Sequence, residues 1–360
     1  SRLGSPPVMA SSPAERADES RLSFGSLPPL ALYVHLPWCV RKCPYCDFNS
    51  YEARGALPER EYVDAVLRDV RLEAPLAQGR VVESVFIGGG TPSLFSGHAI
   101  TALLSGIRGE LELARDVEVT LEANPGAVEE GRFAAFRAAC VDRLSIGVQS
   151  FRDEPLRRLG RVHDGEAALR AVASARAAGF DNLNLDLMYG LPGDDESGAL
   201  FDLERALELG PAHLSWYQLT LEPNTAFERR PPPLPYDDVV AAIEARVRAL
   251  AAGAGFERYE ISAYARSGRR CRHNLNYWAF GDYLGVGAGA HGKVTTATAF
   301  ERRARVRNPR TYVMRAGTAD AATCERVDSA SQAATEFLLN ALRLTDGVAV
   351  AMFEALAGQS

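Results

Sequence analysis

The chain has 360 residues, 47% of them hydrophobic, with 46 acidic against 40 basic side chains and a formal charge of −6. That size suits one large domain, or a large domain with a smaller one attached, and the acidic balance argues against a nucleic-acid-binding face. No apolar run approaches the roughly 18–20 residues that span a bilayer, and no charged-then-apolar leader opens the sequence, so a cytoplasmic protein that is not an integral membrane protein is expected.

Residues 1–28 are rich in Ser, Pro and charge without a sustained period, and read as a mobile tail. β-rich runs then alternate with helical patterns. Strands are predicted at 30–36, 81–89, 117–123, 143–149, 182–190, 213–222 and 257–265. Between them, segments such as EREYVDAVLRDVRLEA and EAALRAVASARAAGF carry apolar residues at helical spacing. This alternation predicts an α/β fold with a parallel sheet wrapped by helices. Six or seven units favour a partial (β/α)6-type TIM-like barrel over an open doubly wound sheet. From 266 the alternation fails, so the barrel is expected over 29–265 and a smaller C-terminal domain over 266–360.

The unusual residues cluster where predicted strands run out. A Cys-rich loop follows the first strand, GGGTPS (88–93) the second and EANPG (122–126) the third; VQSF (148–151), DLMYGLPGD (186–194) and EPNT (222–225) follow the next three. In a barrel those ends converge on one face, where active sites sit.

The loop WCVRKCPYCDFNS spaces Cys39, Cys43 and Cys46 as C-x3-C-x2-C. Clustered cysteines without a disulfide framework indicate metal binding or catalysis. Thiolates suit zinc or an iron–sulfur cluster. Zinc needs a fourth ligand, for which His35 is the nearest candidate; three thiolates on a four-iron cluster leave one iron open. GGGTPS lets backbone approach a ligand but lacks the Lys of a phosphate loop, and alone it reads more readily as a tight turn than as a ligand cradle. Glu122, Gln149, Arg161 and Asp186 come from successive units and can reach the barrel mouth. Singly, Arg161 reads as a solvated helix charge.

The Cys spacing, with an aromatic residue before the last Cys, resembles the signature of the radical S-adenosylmethionine (SAM) superfamily. The resemblance implies a [4Fe-4S] cluster on Cys39, Cys43 and Cys46, and SAM chelated by the open iron. It places Tyr45 near the adenine, and Gly89, Gly90 and Thr91 at the amino end of SAM. Glu122, Gln149, Arg161, Asp186 and Tyr33 match the SAM-contacting pattern of the anaerobic coproporphyrinogen III dehydrogenase family.

Two branches of that family are similar to residues 30–345: the dehydrogenase itself and a haem-chaperone branch. The dehydrogenase pattern carries a further Cys two residues after the cluster motif, where this chain has Phe48. HNLNYW (273–278) resembles the HNxxYW motif of the haem chaperones, which implies haem contacts at His273, Asn274, Tyr277 and Trp278. Composition alone reads the same stretch as a core corner. Cys271 is an alternative iron ligand. The chaperone reading implies haem and haem-accepting proteins as partners, and is compatible with a homodimer and with peripheral membrane contact.

Three further readings are open to test. GVGAGAHGK (285–293) reads as backbone in close approach to the barrel, with His291 beside it. The arginines at 302, 303, 305, 307 and 310 read as a solvated basic face that can also meet haem propionates. Members of the chaperone branch continue into a C-terminal winged-helix-like segment, so the C-terminal domain is expected to be incomplete.

Overall fold

The computed structural model describes residues 22, 24–126 and 131–357. Most of the tail expected over 1–28 lies outside the described residues. Within that span Leu22 and Phe24 are buried against Phe280, Phe300 and Phe337, in a small apolar cluster beneath the C-terminal part of the chain.

Twelve strands form one mixed sheet. In chain order they are β1 (Leu30–Leu36), β2 (Val82–Gly89), β3 (Leu113–Ala123), β4 (Arg143–Gln149), β5 (Asn182–Tyr189), β6 (His213–Gln218), β7 (Glu257–Glu260), β8 (Ala263–Ala265), β9 (Asp282–Val286), β10 (His291–Thr295), β11 (Phe300–Arg305) and β12 (Ala322–Val327). Their order across the sheet is β12-β11-β10-β9-β1-β2-β3-β4-β5-β6-β8-β7. β9 and β1 to β6 run parallel, and the order ends at two edges without closing. This is the expected partial barrel.

Helices return the chain between parallel strands, and each buries one stripe. Glu59–Glu73 turns Tyr62, Val63, Val66 and Val70 onto the sheet, with Glu59 and Glu61 in its first turn. Gly97–Glu110 starts at Ser96, whose Oγ accepts the Ala99 N–H at 3.1 Å. Asp164 and Asp195 cap Gly165–Ala177 and Glu196–Glu208 in the same way. The core lies between these helices and the strands, on the outside of the barrel.

The sheet departs from expectation at two places. The run predicted as one strand at 257–265 is an antiparallel hairpin, because the Ser262 N–H donates to the Glu260 side chain at 3.0 Å and turns the chain back at Ile261–Ser262. The seventh parallel strand is instead β9, drawn from residues expected in the C-terminal domain. One sheet therefore runs unbroken past residue 265.

The glycine-rich stretch after β9 is indeed backbone in close approach. Gly287 has φ +101°, and a Cβ there would lie 2.3 Å from the His35 carbonyl oxygen; one on Gly289 would meet the Asn49 amide at the same distance. The arginine stretch is a solvated face only in part: Arg307 and Arg310 are exposed, and the other three are not. Arg302, Arg303 and Arg305 pair with Glu336, Glu73 and Asp69 at 2.6, 2.9 and 2.9 Å, tying β11 to two helices. No helix among the described residues is long and apolar enough to cross a membrane.

Candidate functional site

The cysteine loop leaves the end of β1 and returns through a two-residue parallel ladder, Trp38–Cys39 against Tyr51–Glu52. Asn49 anchors it from outside: its side-chain amide donates to the Ala288 and Arg307 carbonyls at 2.9 Å each, and its own carbonyl accepts from His35 Nε2 at 3.0 Å. His35 Nδ1 accepts from the Tyr33 hydroxyl at 2.9 Å. Both ring nitrogens of His35 are thus engaged, which removes the one candidate for a fourth zinc ligand.

Cys39, Cys43 and Cys46 are free thiols, half-buried, and face a cavity of about 600 Å³. Burial pushes the Cys39 and Cys46 thiols up. Among the described residues no three His, Cys, Asp or Glu side chains converge closely enough for a single metal ion. A donor set of three thiols opening on one cavity fits a multi-iron cluster with one iron left without a protein ligand.

The strand ends supply the rest of the lining. Tyr45, Gly89, Gly90, Thr91, Glu122, Gln149, Arg161 and Asp186 all border this cavity, so eight side chains or backbone segments scattered over the sequence meet the three thiols. The Gly89 N–H donates to Glu122 Oε2 at 3.1 Å. Glu122 is pushed up to about 8, first by burial and then by the neighbouring Asp186 carboxylate. Asp186, also raised by burial, accepts from Ser145 Oγ at 3.0 Å and from Asn184 Nδ2 at 2.7 Å. Gln149 has φ +68°, next to a register shift between β4 and β5. That costs on the order of 1–3 kcal/mol and swings its side chain into the cavity.

Tyr33, His273 and Tyr277 do not border the cavity. The Tyr33 ring stacks on Phe86, 6.3 Å between centroids. His273 packs on Phe86 at 5.0 Å, with Nδ1 3.4 Å from Ser84 Oγ, beneath the cavity in the barrel interior. Burial and the nearby Arg143 lower His273 to about 4, so its imidazole is neutral at pH 7. Tyr277 packs between Trp278 and Tyr283. HNLNYW is itself a short helix, Arg272–Trp278, whose Asn274 and Trp278 reach the cavity wall. The neighbouring Cys271 is fully buried and pushed up to about 11, chiefly by burial; its protonated thiol donates to Glu118 at 3.6 Å and is no thiolate ligand in this arrangement. His291 is exposed at the start of β10, away from the cavity.

The sequence reading missed several residues that border the cavity. Asn124 bridges Thr91 Oγ1, to which it donates at 2.7 Å, and Arg161. Tyr217 donates to Gln149 Oε1 at 2.7 Å. Glu260, Ser262 and Arg343 complete the far wall. Asn124 lies inside the quoted EANPG turn and Tyr217 on a predicted strand, so their positions after or near strand ends were a usable signal. Arg343 follows a C-terminal helix, and nothing local in its sequence marks it.

A partial α/β barrel with a three-thiol loop at its mouth is the architecture of the radical SAM proteins. The sequence model of the radical SAM superfamily matches residues 33–206. The chain is 50% identical to the heme chaperone HemW of Escherichia coli (strain K12) over 333 residues, covering 92% of this chain and 87% of that one. It is 45% identical to the heme chaperone HemW of Haemophilus influenzae over 339 residues, covering 93% and 88%. Among solved structures, coproporphyrinogen III oxidase (HemN) from Escherichia coli superposes with a TM-score of 0.79 at 24% identity over 96% of this chain and 86% of that one, which shows the shared fold. The chain belongs to the HemW family of the radical SAM superfamily. Membership of the superfamily implies a [4Fe-4S] cluster and SAM.

Proposed function

We propose that this chain is a haem chaperone: it binds a [4Fe-4S] cluster, SAM and haem, and delivers haem to haem-requiring, respiratory proteins. The observation that carries this reading is the shared cavity, in which the three thiols and the strand-end residues face Asn274 and Trp278 of the HNLNYW helix. The high identity to curated heme chaperones over nearly the whole chain supports it.

In this reading Cys39, Cys43 and Cys46 would hold the cluster, which would supply an iron site for SAM and one-electron reducing chemistry beside it. Glu122 accepts the ribose hydroxyls, and the ring of Tyr45 flanks the adenine. Gly89, Gly90 and Thr91 meet the amino group. Gln149, Arg161 and Asp186 fix the remaining polar edges, and Tyr33 acts from behind, through His35. Haem contacts the helix Arg272–Trp278, within the C-terminal part that begins near 266.

The rival reading is a coproporphyrinogen dehydrogenase, which shares this fold. Phe48 stands in the cavity lining where that enzyme pattern has a thiol, and Phe can neither transfer a proton nor donate a hydrogen bond. The test is protein prepared without oxygen and mixed with haem or, separately, with coproporphyrinogen, SAM and a reductant. Stoichiometric haem binding without protoporphyrinogen is expected. Decarboxylated product without stoichiometric haem binding would overturn the chaperone function.

A further inference from the structure

The barrel is open between β7 and β9, and two pieces of chain fill the gap. One is the helix Arg272–Trp278. The other is the segment after Ala330–Ala341, where Leu344 bridges antiparallel to Glu260, the Ile261 N–H donates to the Arg343 carbonyl at 3.0 Å, and the Thr345 N–H donates to the Tyr259 carbonyl at 3.2 Å. Backbone pairing on both sides of Arg343 fixes its Cα and aims its side chain across the gap.

The guanidinium carbon lies 4.3 Å from the centre of the Trp278 ring, and Nη2 donates to Glu260 Oε2 at 3.2 Å and to Ser262 Oγ at 3.5 Å. Glu260 is buried, and burial raises its pKa. Arg343 Nε and Trp278 Nε1 are buried without a hydrogen-bond partner among the described residues, where Nη1 has no acceptor either. Arg343 and Trp278 thus present unsatisfied donors, and Trp278 one flat ring, to the cavity that also holds the three thiols, with the Glu260 carboxylate beside them as an acceptor. Arg302, Arg303 and Arg305 are already committed to carboxylates of the protein, whereas Arg343 keeps donors in reserve.

We propose that Arg343, stacked on Trp278, is the carboxylate-recognition residue of this cavity and reads a propionate-type carboxylate on a flat macrocyclic ligand, with Glu260 as the internal acceptor that holds the guanidinium in place until the ligand arrives. This rests on the haem-chaperone reading above. A planar fork of donors over an aromatic face suits a carboxylate attached to an aromatic ring system, and a point charge does not. Glu260 competes for the same donors, so binding exchanges one charged acceptor for another. The buried, raised Glu260 carboxylate is the partner readily released by protonation.

The experiment uses the full chain, prepared without oxygen, titrated with haem and with haem dimethyl ester, in which both carboxylates are blocked. Wild type is expected to bind haem about tenfold more tightly than the ester, the size of one charge-assisted hydrogen-bonded contact. Arg343→Gln is expected to lose that preference by weakening haem alone. Glu260→Gln is expected to strengthen haem and leave the ester unchanged, a gain that a damaged fold does not produce. Equal affinities of wild type for haem and ester, or equal losses for both ligands in Arg343→Gln, would overturn the assignment while leaving the chaperone reading standing. If neither ligand binds wild type while SAM does, the chaperone reading falls, and this assignment with it.

Discussion

Arg161 Nη1 lies 3.6 Å from the Cys43 sulfur, while Nη2 donates to the Gly147 carbonyl at 2.8 Å and to the Asn124 side chain. One guanidinium thus joins the thiol loop to the ends of β3 and β4. Its charge borders the cavity that the three thiols face, where SAM is proposed to bind. Arg161→Gln is expected to leave iron loading intact and to weaken SAM by about tenfold or more, because a charge-assisted contact is replaced by a neutral one. Arg161→Lys should recover part of the loss. Iron content and calorimetric titration with SAM on anaerobically reconstituted protein check it; unchanged SAM affinity would remove Arg161 from the site.

The turn after β2 has no room for side chains. A Cβ on Gly90 would lie 2.6 Å from the Trp38 carbonyl oxygen, and one on Gly89, where φ is +114°, would lie 2.5 Å from the His35 ring. The first clash is with backbone, so nothing inexpensive can move aside. Gly90→Ala should cost about 2 kcal/mol or more and displace the Cys39 end of the loop. Urea unfolding of the cluster-free chain measures the cost, and iron content after reconstitution shows whether the loop still loads.

Much of this site was legible because its residues sit at strand ends, and strand ends are what periodicity locates best. β1 and β4 fall where 30–36 and 143–149 were predicted, and the motifs after them face one cavity as topology requires. Three things were not legible. The hairpin at 257–265 hides its turn in Ile261–Ser262, which carries no Gly or Pro. β9 joins the sheet beside β1, some 250 residues distant in sequence, by pairing that no local pattern encodes. His273 was read as a site residue from its motif, but its packing inside the barrel on Phe86 depends on where the helix Arg272–Trp278 lodges. Local sequence places the strand ends; the plug in the gap is a tertiary result.

The buried titratable groups give the cluster-free chain a stability maximum with assignable limbs. Glu122 binds its proton up to about pH 8 when folded, against an ordinary carboxylate value when unfolded. Between roughly pH 5 and 8 the folded state therefore holds the extra proton at Glu122, and the stability this group contributes falls as pH rises. His163 and His273 are both lowered to about 4, first by burial, so between pH 6.5 and 4 the unfolded state holds more protons at these two sites and their contribution falls as pH drops; with two groups against one, the net maximum lies near pH 6.5. Glu122→Gln should flatten the alkaline limb and His163→Gln the acidic one. Thermal midpoints across pH 4–9 test both, and a Glu122→Gln profile that still declines from pH 6.5 to 8 as steeply as wild type would refute the first.

The ring of His273 packs on Phe86 and Tyr33, within reach of Ser84, and does not border the cavity, so ligating the iron of a haem docked there requires the helix Arg272–Trp278 to move. The imidazole is already neutral at pH 7, so ligation needs access and no deprotonation. None of the helix's residues is fully buried, and it spans only seven residues, so releasing it exposes little apolar surface. Haem association is then expected to level off at high haem concentration, at a rate set by helix release. His273→Ala should abolish the low-spin spectrum of the complex and leave the plateau rate in place. A cysteine pair tying the helix to β2 should slow the plateau in the oxidised form and restore it on reduction. Stopped-flow absorbance in the Soret region reads both quantities. A rate that stays proportional to haem concentration, with a spectrum indifferent to His273→Ala, would mean that haem docks on Asn274 and Trp278 from the cavity side and never reaches this histidine.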